Sequence, residues 1–189
     1  MSEYRGGIFL GFSACAPMGL IPNWLYFSVL CPSVPVNKNG SVNYAPCGIR
    51  KVEAALLNHG FEEKEIVVAH PEYLDNVIGE ETKVIGITET DPLGLAPATS
   101  TFTQLFDGES YMSQEFRTLL KAISTLKTKP RIIVGGPGAW QLEEEKVRKK
   151  LGIDCVVLGE SENIVGDLFE KACNNKLIPE TVHGEVVET

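Results

Sequence analysis

Arg131-Ile132-Ile133-Val134 passes without a break into Gly135-Gly136-Pro137-Gly138-Ala139. A short Val/Ile run that ends on glycine is the pattern of a strand buried on both faces, as in parallel sheets. Moving outward, the pattern recurs at Lys83–Thr88 (KVIGIT), at Asp154–Leu158 (DCVVL) and, upstream, at Glu65–Ala69 (EIVVA). Tyr26–Leu30 (YFSVL) completes a set of five and is expected to be the first strand.

Helical periodicity fills the intervals. Ile49, Val52 and Leu56 form one stripe, with Gly60 as its stop. Pro71 opens a short helix bearing Leu74, Val77 and Ile78, closed by Gly79, with His70 expected to cap it. Phe116, Leu119, Leu120, Ile123 and Leu126 make the cleanest amphipathic pattern. Ile164, Val165, Leu168, Phe169 and Ala172 make another, with Ser161 placed to cap it. Gln141–Leu151 is charged and is expected to be a solvated surface helix.

Strand and helix therefore alternate from residue 24 to 174. Right-handed crossovers then give an α/β fold: a three-layer α/β/α, Rossmann-like (flavodoxin-like) sandwich with a five-stranded parallel sheet in the order 2-1-3-4-5. Residues 1–23 read as an N-terminal extension packing on the domain, 24–176 as the domain and 177–189 as a linker leaving it. Val34–Tyr44 and Asp91–Met112 are expected to be long loops.

The chain has 189 residues and a net charge of −8, which argues against a nucleic-acid module needing a basic face. Five cysteines in this length are not a disulfide framework and read as reduced thiols of a cytoplasmic protein. The apolar region from Ile8 to Cys31 is interrupted by Pro17, Pro22 and Asn23, so a membrane helix is not expected.

Ligands of open parallel sheets bind beyond the carboxyl ends of the strands. The candidate binding residues are therefore Thr88, Glu89, Thr90, Asp91, Pro92, Leu93 and Gly94; Gly135, Gly136, Pro137, Gly138 and Ala139; and Gly159, Glu160, Ser161 and Glu162. Pro46-Cys47-Gly48, at the start of the first helix, belongs to the same edge. Gly135, Gly136 and Gly138 exceed what a strand-to-helix turn needs and suggest a large ligand close to the main chain. Dinucleotide and P-loop fingerprints are absent, and Pro137 removes an amide donor from the loop. No catalytic residue and no metal-ligand set is expected: His59 reads as solvated, His183 as part of the tail, and no cysteine pair has metal spacing.

The ordered set Gly48–Leu57, Ile66–Pro71, Val84–Thr88 with Asp91-Pro92-Leu93-Gly94, Ile132–Ala139 and Val157–Glu162 resembles the N-terminal cobalamin-binding domain of cobalamin-dependent radical S-adenosylmethionine (radical SAM) proteins, particularly those of archaea. The resemblance spans roughly residues 24 to 180. It implies a Rossmann-like domain holding cobalamin (vitamin B12) at the carboxyl edge, with its nucleotide tail threaded into the fold. Gly135–Ala139 would line the tail or the lower corrin face, Thr88–Gly94 would lie under or beside the ring, and Gly159–Glu162 would close the tail slot. D-x-H-x-x-G is absent, so the implied cobalamin is base-off with no protein histidine ligand. The C-x-x-x-C-x-x-C motif for a 4Fe-4S cluster is absent too. The expectation is then a fragment or separate subunit, non-catalytic alone, whose partner is a radical SAM barrel in cis or in trans. The full protein would be a methyltransferase using the cluster and S-adenosylmethionine. Two other readings of the residues stay open: a flavodoxin-like flavin or nucleotide domain, and an interaction module without a ligand.

Overall fold

The structure, a computed structural model, describes residues 13–185. It is an α/β fold. The element order is α1 (Asn23–Leu25), α2 (Cys47–His59), α3 (Leu74–Val77), β1 (Val84–Thr88), α4 (Pro97–Phe106), α5 (Tyr111–Ser124), β2 (Arg131–Gly135), α6 (Glu145–Leu151), β3 (Cys155–Leu158), α7 (Val165–Cys173) and β4 (Thr181–His183). The sheet is parallel throughout, with four strands in the order β1-β2-β3-β4 among the described residues. Ile87 pairs with Val134, Ile133 with Cys155 and Val157 with Val182.

Alternation along the central strands supplies two cores. Ile132, Val134 and Val156 face Phe116, Leu120 and Ile123 of α5, together with Ala139, Leu142 and Ile153. Ile133, Cys155 and Val157 face Leu168 and Ala172 of α7, with Ile178 beside them. α2 lies against α7. Helices thus cover both faces, which is why β2 and β3 read as continuous apolar runs. Helix α5 forms where the sequence expects it: Ser110 accepts a hydrogen bond from the Ser113 amide at 3.3 Å, and Phe116, Leu120 and Ile123 repeat on the buried side.

Three of the five expected strands are β1, β2 and β3, adjacent in sequence order. The other two are corrections, and with them the order 2-1-3-4-5. Tyr26–Leu30 is a π-helical turn, closed by the Cys31 amide on the Tyr26 carbonyl at 2.7 Å. Of this run only Tyr26 is buried, its ring stacked on Tyr111 at 3.8 Å; Phe27 and Val29 are exposed. A five-residue apolar run carries too little periodicity to separate strand from helix. Glu65–Ala69 follows a 3-10 turn and meets residues 40–42 antiparallel, through Val42 N–H on Val68 O and the Ser41–Ala69 bridge. The fourth strand is Thr181–His183, inside the stretch expected to be a linker.

Asp91–Met112 is not one loop: α4 occupies its middle, and Tyr111 and Met112 open α5. Serine and threonine in Pro97–Phe106 hide the helix from propensity. In place, Thr101 and Thr103 hydroxyls donate to the carbonyls of Pro97 and Thr99. Gln141–Leu151 is a 3-10 turn followed by α6, and Gln141, Leu142 and Arg148 are buried rather than solvated. His70 does cap the turn opened by Pro71, accepting from the Glu72 amide. Ser161 receives the Ile164 and Val165 amides on its carbonyl, not its hydroxyl. From Ser13 onward the N-terminal segment touches the start of α5: Met18 N–H donates to Glu109 O, and Tyr111 Oη donates to Ile21 O. Residues 1–12 and 186–189 of the expected extension and linker lie outside the described residues. No helix among the described residues is long and apolar enough to cross a membrane.

Candidate functional site

Because all strands run parallel, the segments after β1, β2, β3 and β4 leave from one edge. Thr88 and Gly135 form the last register pair of β1 and β2, so the two loops start side by side. The Glu89 amide donates to Gly135 O, and the Gly138 amide donates back to Glu89 O, both at 2.9 Å. This backbone clasp explains two of the three glycines without a ligand. Gly136 has φ +98°, and a Cβ there would stand 2.6 Å from Thr88 Oγ1 and from Glu89 O. A Cβ on Gly138 would run into the Thr90 carbonyl and come 2.6 Å from Pro92 Cδ. The tight strand-to-helix turn by itself therefore requires glycine at these two positions.

Gly135 is different. A Cβ there would meet only Val157, at an ordinary 3.7 Å. By strand alternation and register, Gly86, Thr88, Gly135 and Val157 share the face that α2 and α7 cover. α2 begins above this face after Pro46. A Cβ on its Gly48 would find a single neighbour within 4 Å, Thr88 Oγ1 at 3.8 Å. Around Gly135 and Gly48 an added Cβ would thus meet only Val157 and Thr88, at ordinary contact distance. Below Thr88, Phe169 of α7 fills the space over Gly86. On the far side, Lys51 of α2 pairs with Glu162 at 2.7 Å, which raises the Lys51 ammonium and lowers the Glu162 carboxyl from their ordinary ranges.

The β1 loop is held from behind. Asp91 is 1% exposed; its Oδ1 accepts from Gln141 Nε2 at 2.6 Å and from the Ala96 amide at 3.0 Å. Gln141 Oε1 in turn accepts from the Leu93 amide at 2.8 Å. Asp91 Oδ2 is buried with no hydrogen-bond partner. Glu89 is half-buried at the end of β1. Burial pushes its carboxyl up to about 7, the Thr90 amide donating to Oε2 opposes that, and the Asp91 charge adds to it.

The expected binding residues therefore separate by burial. Asp91, Pro92, Gly138 and Ala139 are buried and hold the loops in shape. Thr90, Pro137, Gly159 and Glu160 are exposed at the edge; Thr88, Glu89, Leu93, Gly94, Gly135, Gly136, Ser161 and Glu162 lie between the two extremes. Trp140, which follows the glycine loop, is 53% exposed. Two positions were missed. Gln141 gives no local signal, because only the 3-10 turn over Ala139–Leu142 rotates it inward. His183 ends β4, opposite Leu158, and so stands at the same edge rather than in a tail. No disulfide links the cysteines; Cys155 is buried, which pushes its thiol up to about 11, and Cys47 is exposed at the start of α2.

No protein-family model matches the chain, and neither does any curated protein or solved structure at the level that would show kinship.

Proposed function

We propose that the chain is a Rossmann-like cobalamin-binding domain of a radical SAM iron–sulfur protein, a methyltransferase when complete. The observation that supports this most is the room at the parallel sheet's carboxyl edge around Gly48 and Gly135, where an added Cβ would meet only Thr88 and Val157 at ordinary contact distance. A corrin with an extended nucleotide appendage is large, amide-rich and uncharged over most of its area. It calls for small residues and main-chain partners, not a cationic nest. Gly135 and Gly48 leave room for the appendage beside Thr88, whose hydroxyl offers it a hydrogen bond. The clasp between Glu89, Gly135 and Gly138 fixes the floor on which the ring would rest, and the Asp91–Gln141 pair keeps that floor from moving. Burial pushes the Glu89 carboxyl up to about 7, which favours its protonated, hydrogen-bond-donating form more than for an ordinary carboxylate. When bound, cobalamin supplies a cobalt centre able to carry a methyl group; this chain's part is to hold it and to exclude water.

The test is to mix the purified chain with hydroxocobalamin, desalt it, and read the absorption spectrum. Retained corrin with a base-off spectrum is the expected result, and Gly135→Leu is expected to abolish retention. Retained flavin in place of corrin would favour the flavodoxin-like reading, and an empty protein would overturn the proposal.

A further inference from the structure

We propose that His59, Asp167 and Glu170 form a surface site for a divalent transition-metal ion of the zinc class, clamping α2 to α7. His59 is the last residue of α2, and Asp167 and Glu170 lie one turn apart on α7. His59 Nε2 is 3.0 Å from Glu170 Oε2 and 3.7 Å from Asp167 Oδ1. One donor atom from each residue lies within 4.8 Å of the others. Tetrahedral zinc, with bonds of about 2.0–2.2 Å, sets its ligand atoms about 3.4 Å apart, between the two observed separations. One imidazole nitrogen with two carboxylates suits zinc and its neighbours better than calcium or magnesium, which take oxygen donors.

The packing independently shows that this imidazole is held, not trailing in solvent. α7 carries Gly166 where it meets His59, and a Cβ there would stand 2.5 Å from Nδ1 and 2.7 Å from the histidine Cβ. The ring is pressed against the helix backbone, with Nε2 turned to the carboxylates. An open groove of about 550 Å³, lined by Lys51, Ala54, Ala55, Asn58, His59 and Gly166, runs alongside. Asp167 and Glu170 lie outside this groove and are themselves exposed, so bulk water reaches the fourth position that a three-ligand zinc site leaves open.

Zinc is titrated into the full chain against a chromophoric chelator, and Co²⁺ absorption identifies the donors, because exposed Cys47 is a competing soft ligand. The expected result is one tightly bound ion, a Co²⁺ spectrum without thiolate charge transfer, and a thermal midpoint raised by about 5 °C at saturation. His59→Gln and Glu170→Gln are each expected to weaken binding about a hundredfold, since even partners behind the ligands are worth 10–100-fold. Far-UV circular dichroism checks that the variants fold, and Cys47→Ser should leave binding unchanged. Affinity that survives both ligand variants, that falls with Cys47→Ser, or that brings a thiolate band would mean an adventitious ion only and overturn the proposal. Either outcome is independent of corrin retention, since none of the three residues is at the sheet edge.

Discussion

Glu89 sits where a loop leaves the sheet, and its environment turns a carboxylate into a group that titrates near neutrality. The folded chain holds the proton up to about pH 7, while the unfolded chain releases it near the ordinary value of 4.5. Between those values the folded state binds more protons, so stability falls as pH rises through the window, by about 3 kcal/mol at most. Glu89→Gln removes the titration and keeps the acceptor for the Thr90 amide. Urea midpoints measured from pH 4.5 to 8 should fall for the parent chain and stay level for the variant, with the variant the more stable at pH 8. Parallel slopes would mean that the carboxyl is not buried as described. At this scale the sequence marked the right neighbourhood but not the roles. Gly135 and Gly136 look alike in the string, yet one is occupied by the backbone of Glu89 and the other is open. Asp91 reads as a ligand-facing acid and is instead a buried strut, because its partner Gln141 comes from 50 residues away.

Among elements, the legible ones were those whose pattern is long or doubly buried. α5 spans four turns with one apolar face, and β2 and β3 are apolar on both. Short runs failed: Tyr26–Leu30 follows a proline-started helical turn and stays helical, and α4 hides in threonines. β4 is the clearest case of context. Thr181–His183 has no pattern of its own, but β3 offers it an unpaired edge, and Ile178 enters the α7 core on the way. Ending the chain at Asn175 should therefore lower the unfolding free energy by about 3 kcal/mol or more, through the lost Ile178 burial and the bared edge of β3. Equal urea midpoints for the two chains would show that β4 lies outside the cooperative unit.

Over the whole molecule, stability and the proposed binding act at different places. The core behind the sheet rests on α5, and Phe116→Ala, at a side chain 1% exposed, should cost about 3–5 kcal/mol while any folded fraction still retains corrin. Gly135→Leu should do the reverse, with corrin lost and the thermal midpoint nearly kept, because the first added carbon meets only an ordinary contact. Comparing melting curves with corrin retention for the pair checks this; a Gly135→Leu chain that binds normally would place the ligand elsewhere.

The amino-acid string alone determined the class of fold and which edge of the sheet collects the glycine-rich loops. Those follow from local periodicity and from the rule that parallel strands present their carboxyl ends together. Only the tertiary structure decided how many strands pair, which glycines are filled by neighbouring backbone, and that His59 meets Asp167 and Glu170. Each of these depends on atoms brought together from distant parts of the chain, and no short-range pattern records what lies opposite a residue once the chain has closed on itself.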